Sequence, residues 1–307
     1  MIEVQNLSKI YGDYRAVDDI SFRVEKGEIV GFLGPNGAGK TTTMRILSCF
    51  MAPTGGTARI AGYDILQDSR EVRRNIGYLP ENVPLYPEMT VREYLGYMAA
   101  LRGVPKEKRA ERIEAALDAG QVEDRAETLI RKLSRGLRQR VGIAQAIVHD
   151  PPVLILDEPS AGLDPRQRVE ARRFIKGLAK DHTIILSTRI LPDVQETCSR
   201  VVIINRGRIV AQDTTENLSA ARGADRLTLL VRRPAGDAQQ RLAALPGVAN
   251  VRRDGVDKNK YLLEMQPAAD VREEVAHLCV TENWGLLELS RQRTNLEDVF
   301  LELTTND

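Results

Sequence analysis

The chain has 307 residues, 42% of them hydrophobic and 28% charged, with 44 Lys and Arg against 43 Asp and Glu. That composition excludes a disordered or collagen-like chain, and a formal net charge of +1 supplies no global field for nucleic acid. No run reaches the roughly 18 apolar residues that span a bilayer, since Val153-Leu154-Ile155-Leu156 passes straight into Asp157-Glu158.

The start, Met1 to Asn6, lacks the basic-then-apolar order of a secretory signal, so the chain is expected to remain in the cytoplasm. Ile2, Val4, Ile20, Phe22 and Val24 nearly alternate, which predicts antiparallel strands laid against a larger sheet. Residues 28–33 read as a buried strand, followed by a glycine-rich turn and a helix over 41–50. A helical insertion is predicted over 91–148, with Tyr94, Tyr97, Met98 and Leu101 at helical spacing, and likewise Ile113, Ala116 and Leu117. Apolar runs at 153–156, 183–186 and 201–204 alternate with a helix at 166–180, the pattern of a parallel sheet flanked by helices.

Small and polar residues at 219–225 break this rhythm, and the division is expected there, into domains 1–222 and 223–307. The second domain reads strand, helix, strand, strand, helix, strand, an α+β order that suits a ferredoxin-like unit. Trp284 is assigned to its core, and Leu296, Val299, Phe300 and Leu303 to one face of a final helix. Cys49, Cys198 and Cys279 are far apart and odd in number, and are read as reduced, buried thiols. His149 and His182 are assigned to the surface.

Gly34-Pro35-Asn36-Gly37-Ala38-Gly39-Lys40-Thr41 satisfies G-x-x-x-x-G-K-[ST] between a strand and a helix. Its glycines let successive N–H groups and the helix N-terminus face phosphate oxygens. Lys40 then neutralises the β- and γ-phosphates, and the Thr41 hydroxyl ligates Mg²⁺. The strand at 153–156 delivers Asp157, a second Mg²⁺ holder through water, and Glu158, placed to orient or deprotonate the attacking water. A second anion cradle lies at Leu133-Ser134-Arg135-Gly136, at the start of another helix. One active centre does not need two cradles, so two chains are expected to meet head to tail, each covering the other's γ-phosphate.

With these motifs in this order, residues 1–222 resemble the ATP-binding subunit of an ATP-binding cassette (ABC) transporter. The resemblance implies a P-loop ATPase fold of α/β class, with an antiparallel β arm and a helical subdomain. It implies ATP and Mg²⁺ as cofactors, a homodimer or heterodimer of such subunits, and a separate integral membrane permease. The location implied is the cytoplasmic, inner face of the cell membrane. By resemblance Tyr11 stacks on adenine, Val17 lies beneath the nucleotide, and Thr42 and Glu81 contact it, Glu81 also facing the metal. Ser134, Gly136 and Gln139 match the signature sequence. Ala161-Gly162-Leu163-Asp164 matches the loop after the catalytic glutamate, with Asp164 contacting the opposite subunit. Residues 78–82, 90–93 and 296–301 resemble the branch that powers single-domain export permeases.

Three residues depart from the family pattern. Arg135 stands where the signature has glycine, Glu81 where a glutamine is usual, and Arg189 where the switch histidine is expected. A neutral imidazole both donates and accepts hydrogen bonds, whereas guanidinium only donates. Two readings stay open: ATP is bound well but turned over slowly unless a partner chain completes the site, or Arg189 provides the same phosphate contact. Arg131, Lys132, Arg135, Arg138 and Arg140 support a rival, a soluble ATPase acting on ribosomes or nucleic acid. A small-molecule kinase would share the P-loop but leave the signature unexplained. Neither rival is preferred, and no nucleic acid is expected as partner.

Overall fold

The structure is a computed structural model, and it describes residues 1–221, 226–255, 257–266, 269–292, 300 and 303–304. Backbone contacts divide it into two units, Met1–Thr215 and Glu216–Asp307. The boundary expected between 222 and 223 falls outside the described residues.

In the first unit the elements run β1 (Ile2–Tyr11), β2 (Tyr14–Val24), β3 (Ile29–Leu33), α1 (Lys40–Leu47), β4 (Gly55–Ile60), β5 (Tyr63–Asp64), α2 (Ser69–Arg74) and β6 (Ile76–Leu79). They continue with α3 (Val91–Leu101), α4 (Lys106–Gly120), α5 (Arg135–Ile147), β7 (Val153–Asp157), α6 (Pro165–Leu178), β8 (Thr183–Thr188), α7 (Leu191–Thr197), β9 (Arg200–Asn205) and β10 (Arg208–Thr214). The near-alternating N-terminal segments form the antiparallel arm, in the order β2-β1-β4-β5. The main sheet has the order β10-β9-β3-β8-β7-β6, parallel from β9 to β6 with β10 antiparallel at the edge. Every residue of β3, β7 and β8 is buried, which accounts for their unbroken apolar runs. Their C-terminal ends share one edge, where open α/β sheets bind ligands.

The insertion is helical as read. Thr90 opens α3 with a reciprocal cap, accepting from the Glu93 amide at 3.2 Å while its own amide donates to the Glu93 carboxylate at 2.8 Å. The apolar stripe on α3 divides. Tyr94 is in the core, whereas Tyr97 and Leu101 are 43% and 66% exposed. Helical spacing shows that these residues share a face, not that a core covers it.

Helix α8 (Thr215–Ala221) begins at the last residue of the first unit, and the second unit continues with β11 (Arg226–Val231), α9 (Ala238–Ala243), β12 (Val248–Arg253), β13 (Lys260–Met265), α10 (Arg272–Thr281) and β14 (Leu286–Gln292). Its sheet order, β12-β13-β11-β14 with every neighbour antiparallel, is the split βαβ arrangement expected of a ferredoxin-like unit. Trp284 is fully buried beside Leu227, Leu263 and Val275. Of the anticipated final helix, Leu296 and Val299 lie outside the described residues, as do 297, 298 and 301 from the export-branch ending.

Cys198 and Cys279 are buried, Cys49 only half-buried, and all three are free thiols. Neither histidine is a plain surface group. His182 is buried with Nδ1 2.7 Å from the Pro151 carbonyl. His149 is half-buried with Nε2 3.0 Å from the Ile76 carbonyl. Each ring sits where a helix or loop meets the sheet, so a backbone carbonyl claims it.

Candidate nucleotide-binding site

Strand β3 carries the chain to the glycine loop, and α1 begins at Lys40. Gly39 adopts φ +106, and a Cβ there would lie 2.4 Å from the Ala16 carbonyl oxygen, so both its backbone and its space require glycine. The Lys40 side chain is 6% exposed. Its Nζ donates to the carbonyls of Gly34 at 2.8 Å and Pro35 at 3.1 Å, and lies 3.6 Å from the Glu158 carboxylate. Burial pushes the ammonium below its ordinary range, and the Glu158 charge opposes that shift.

Asp157 ends β7 with its carboxylate fully buried. One oxygen accepts from Thr41 Oγ1 at 3.3 Å and from the Ser187 hydroxyl, while Oδ2 has no partner. Desolvation raises its affinity for a proton, and the two hydroxyls lower it. Glu158 is also buried, with φ +51 and its amide held by the Ser187 carbonyl at 3.0 Å. Its Oε2 is unpartnered. Desolvation pushes this carboxyl up, against the charges of Lys40 and Arg189.

Two buried, unsatisfied carboxylate oxygens beside a threonine hydroxyl form a hard oxygen donor set, and such a set fits Mg²⁺. Among the described residues no cluster of three or more His, Cys, Asp or Glu forms a metal cage. Mg²⁺ needs none, because it is held by one or two carboxylates together with phosphates and water.

A cavity of about 320 Å³ collects Tyr11, Asn36, Gly37, Gly39, Lys40, Thr41, Thr42, Glu81, Glu158 and Arg189. Arg189 Nη1 donates to Asn36 Oδ1 at 3.3 Å. Tyr11 is 45% exposed, with the Lys9 ammonium over its ring at 5.4 Å from the centroid. Val17 does not line this cavity: it is fully buried, and its neighbour Ala16 is among the lining residues instead. Both residues are buried, and the pairing of β2 with β1 shifts register at this point, leaving Ala16 between the paired Arg15 and Val17. Tyr14 also lines the cavity, and its hydroxyl donates to the Gly37 carbonyl at 3.1 Å. Tyr14 joins the site because it pairs with Tyr11 across the hairpin.

The signature residues lie elsewhere. Ser134 caps α5, its Oγ accepting from the Leu137 amide at 3.3 Å. With Gly136 and Gln139 it lines a separate cavity of about 310 Å³ that takes in Leu163 and Gln167 but none of the glycine-loop residues. Gln139 Nε2 is buried without a partner. Asp164 is exposed and caps α6 by accepting from the Gln167 amide at 2.9 Å. The basic run is dispersed: Arg138 reaches the Leu133 carbonyl, and Arg140 reaches Gln121 and Glu170.

The sequence profile described as ABC transporter matches residues 17–161. A daunorubicin resistance ATP-binding protein of Streptomyces coeruleorubidus is 32% identical over all of this chain and 96% of its own. A Nod factor export ATP-binding protein of Paraburkholderia xenovorans is 35% identical over 99% of this chain and 96% of its own. Among solved structures, a dimeric ATP-binding cassette in a post-hydrolysis state with ADP and Pi superposes with a TM-score of 0.64 at 25% identity, covering 70% of this chain and 98% of that one.

Proposed function

From the premise that this chain belongs to the ATP-binding subunits of ABC transporters, we propose that two such subunits clasp two ATP molecules head to tail and thereby drive a separate export permease. Binding and hydrolysis of ATP are the subunit's task. The observation that carries the sandwich is the separation of the two cradles. The glycine-loop cavity and the signature cavity share no residue within one chain, and each ends in buried polar atoms without partners.

In this reading the loop amides and Lys40 hold the β- and γ-phosphates, and Tyr11 stacks on the base. Thr41 and Asp157 would hold Mg²⁺, with Glu81 facing its water shell; the ion supplies charge neutralisation at the phosphates. Glu158 accepts the proton of the attacking water. Arg189, beside Asn36, donates to the γ-phosphate but cannot return a proton, which favours the bound nucleotide over turnover. The signature residues Ser134, Gly136 and Gln139 close from the opposing subunit, with Asp164 nearby.

No described helix is long and apolar enough to cross a membrane. In this reading a separate permease supplies the membrane path and holds the subunit at the inner face. A groove of about 570 Å³, lined by Phe50, Leu85, Tyr86, Tyr97, Met98 and Leu101, suits an amphipathic cytoplasmic helix of that permease. Phe50 is 73% exposed there. Light scattering of Glu158→Gln with ATP tests the sandwich. A dimer that disperses when ATP is removed is expected, and a persistent monomer, alone and with the permease, overturns the reading.

A further inference from the structure

Away from the nucleotide cavity, one close approach joins two loops of different function. Arg135 follows Ser134 at the start of α5, and its exposed side chain reaches the loop after Glu158. A Cβ on Gly162 would lie 2.2 Å from Arg135 Cζ, 2.5 Å from Nη2 and 2.6 Å from Nε. The guanidinium therefore lies against the bare Cα of a glycine whose φ is +70.

That loop is tied back to Glu158. The Ala161 amide donates to the Glu158 carbonyl at 3.0 Å, and the Leu163 amide to the Ser160 carbonyl at 3.3 Å. The Ser160 hydroxyl donates to Asp193, which Arg172 also holds at 3.0 Å. Glu158 adopts a left-handed backbone, a conformation that is strained for a non-glycine residue and persists only where its surroundings impose it. The direction of its carboxylate thus depends on the loop that Arg135 touches.

We infer that Arg135 is a positioning residue that couples the two nucleotide sites: the signature loop engaged on one nucleotide sets, through the Arg135 contact on Gly162, the loop that orients Glu158 toward the other. The inference rests on the head-to-tail sandwich. It gives a role to the departure from glycine in the signature. A planar guanidinium can lie flat on a glycine backbone, whereas a lysine ammonium offers only a point charge.

The test compares Arg135→Ala, Arg135→Lys, Gly162→Ala and the double variant Arg135→Ala/Gly162→Ala, in the full chain assembled with its permease. Arg135→Ala is expected to lower kcat about five- to tenfold and to reduce the cooperativity of ATP hydrolysis, with KM within about twofold. Arg135→Lys is expected to recover little of the loss. The new methyl group of Gly162→Ala displaces the guanidinium and is expected to give the same loss, while the double variant is no worse than either single one. In a Glu158→Gln background, Arg135→Ala still dimerises with ATP. Additive losses, unchanged cooperativity, or ATP-driven dimerisation lost in Arg135→Ala but kept in Gly162→Ala would each overturn the coupling; the last would place Arg135 on the partner's phosphate. If the Glu158→Gln parent itself stays monomeric, the sandwich falls first and the coupling with it.

Discussion

The glycine-loop cavity and the signature cavity, both proposed as anion cradles, each lie at a helix N-terminus, yet they are built on opposite terms. The first stands at the ends of three fully buried strands and concentrates charge: Lys40, Asp157 and Glu158 are all at most 6% exposed. The second rests on the start of α5, and its capping Ser134 is exposed, as is Asp164, the cap of α6, which does not line it. Burial gives the first its chemistry, because ionised groups in a dry site interact strongly and must be paired or aimed at a ligand. In the proposed sandwich, exposure would give the second its recognition, because a cap hydroxyl and helix N-terminal amides can be offered to another chain's phosphate. The largest perturbations should therefore come from the buried cradle.

Glu158→Gln removes the proton acceptor and keeps the shape, so steady-state ATP hydrolysis should drop by about 10²–10⁴-fold while ATP binding persists. A drop smaller than tenfold would mean that the proton leaves by another route and that burial of this carboxylate serves packing.

Next in size is Ser134→Ala, which acts on the exposed cradle alone. It deletes the cap on the Leu137 amide, worth about 1 kcal/mol, and one hydrogen bond to a charged phosphate, worth about 1.5–3 kcal/mol. ATP-driven dimerisation should weaken about ten- to a hundredfold, with nucleotide affinity of the monomer unchanged by calorimetry. Equal losses in both measurements would erase the division of labour between the cradles.

A smaller effect is expected at Arg189. If its donor-only guanidinium slows turnover, Arg189→His should raise kcat about three- to tenfold. No rise in the histidine variant retires that account and leaves Arg189 as an equivalent phosphate contact.

The buried cradle was legible in the sequence because its requirements are local. A glycine loop between an apolar run and a helix, and Asp157-Glu158 at the end of another apolar run, state both geometry and chemistry within a few residues. What was illegible depends on partners distant in the chain. Ala16 rather than Val17 lines the cavity at a place where the pairing of β2 with β1 shifts register, and Tyr14 joins Tyr11 only once the hairpin pairs. The spacing of Tyr94, Tyr97 and Leu101 announced a helix face without saying that part of it opens on a groove. Arg135 read only as a departure from the signature glycine, because nothing in the sequence brings it onto Gly162.

The exposed cradle also has a far end, and there the expected effect vanishes at neutral pH. His149 follows α5 and binds the Ile76 carbonyl at the start of β6, which joins the signature helix to the edge of the sheet. A carbonyl only accepts, so Nε2 carries a proton, and the buried Nδ1 has no partner in the neutral ring. Burial, reinforced by Arg102, holds its pKa down at about 4 against an ordinary 6.5. Between those values the unfolded chain takes up a proton that the folded chain refuses, so stability is full above pH 6.5 and declines as pH falls toward 4. The loss is at most about 3 kcal/mol, less for the solvent that the half-buried ring still meets. Urea denaturation across this window should show the decline, and His149→Gln should remove it while leaving pH 7.5 stability nearly unchanged. An undiminished decline in the glutamine variant would assign the acid sensitivity to other groups and leave the signature helix anchored independently of this ring.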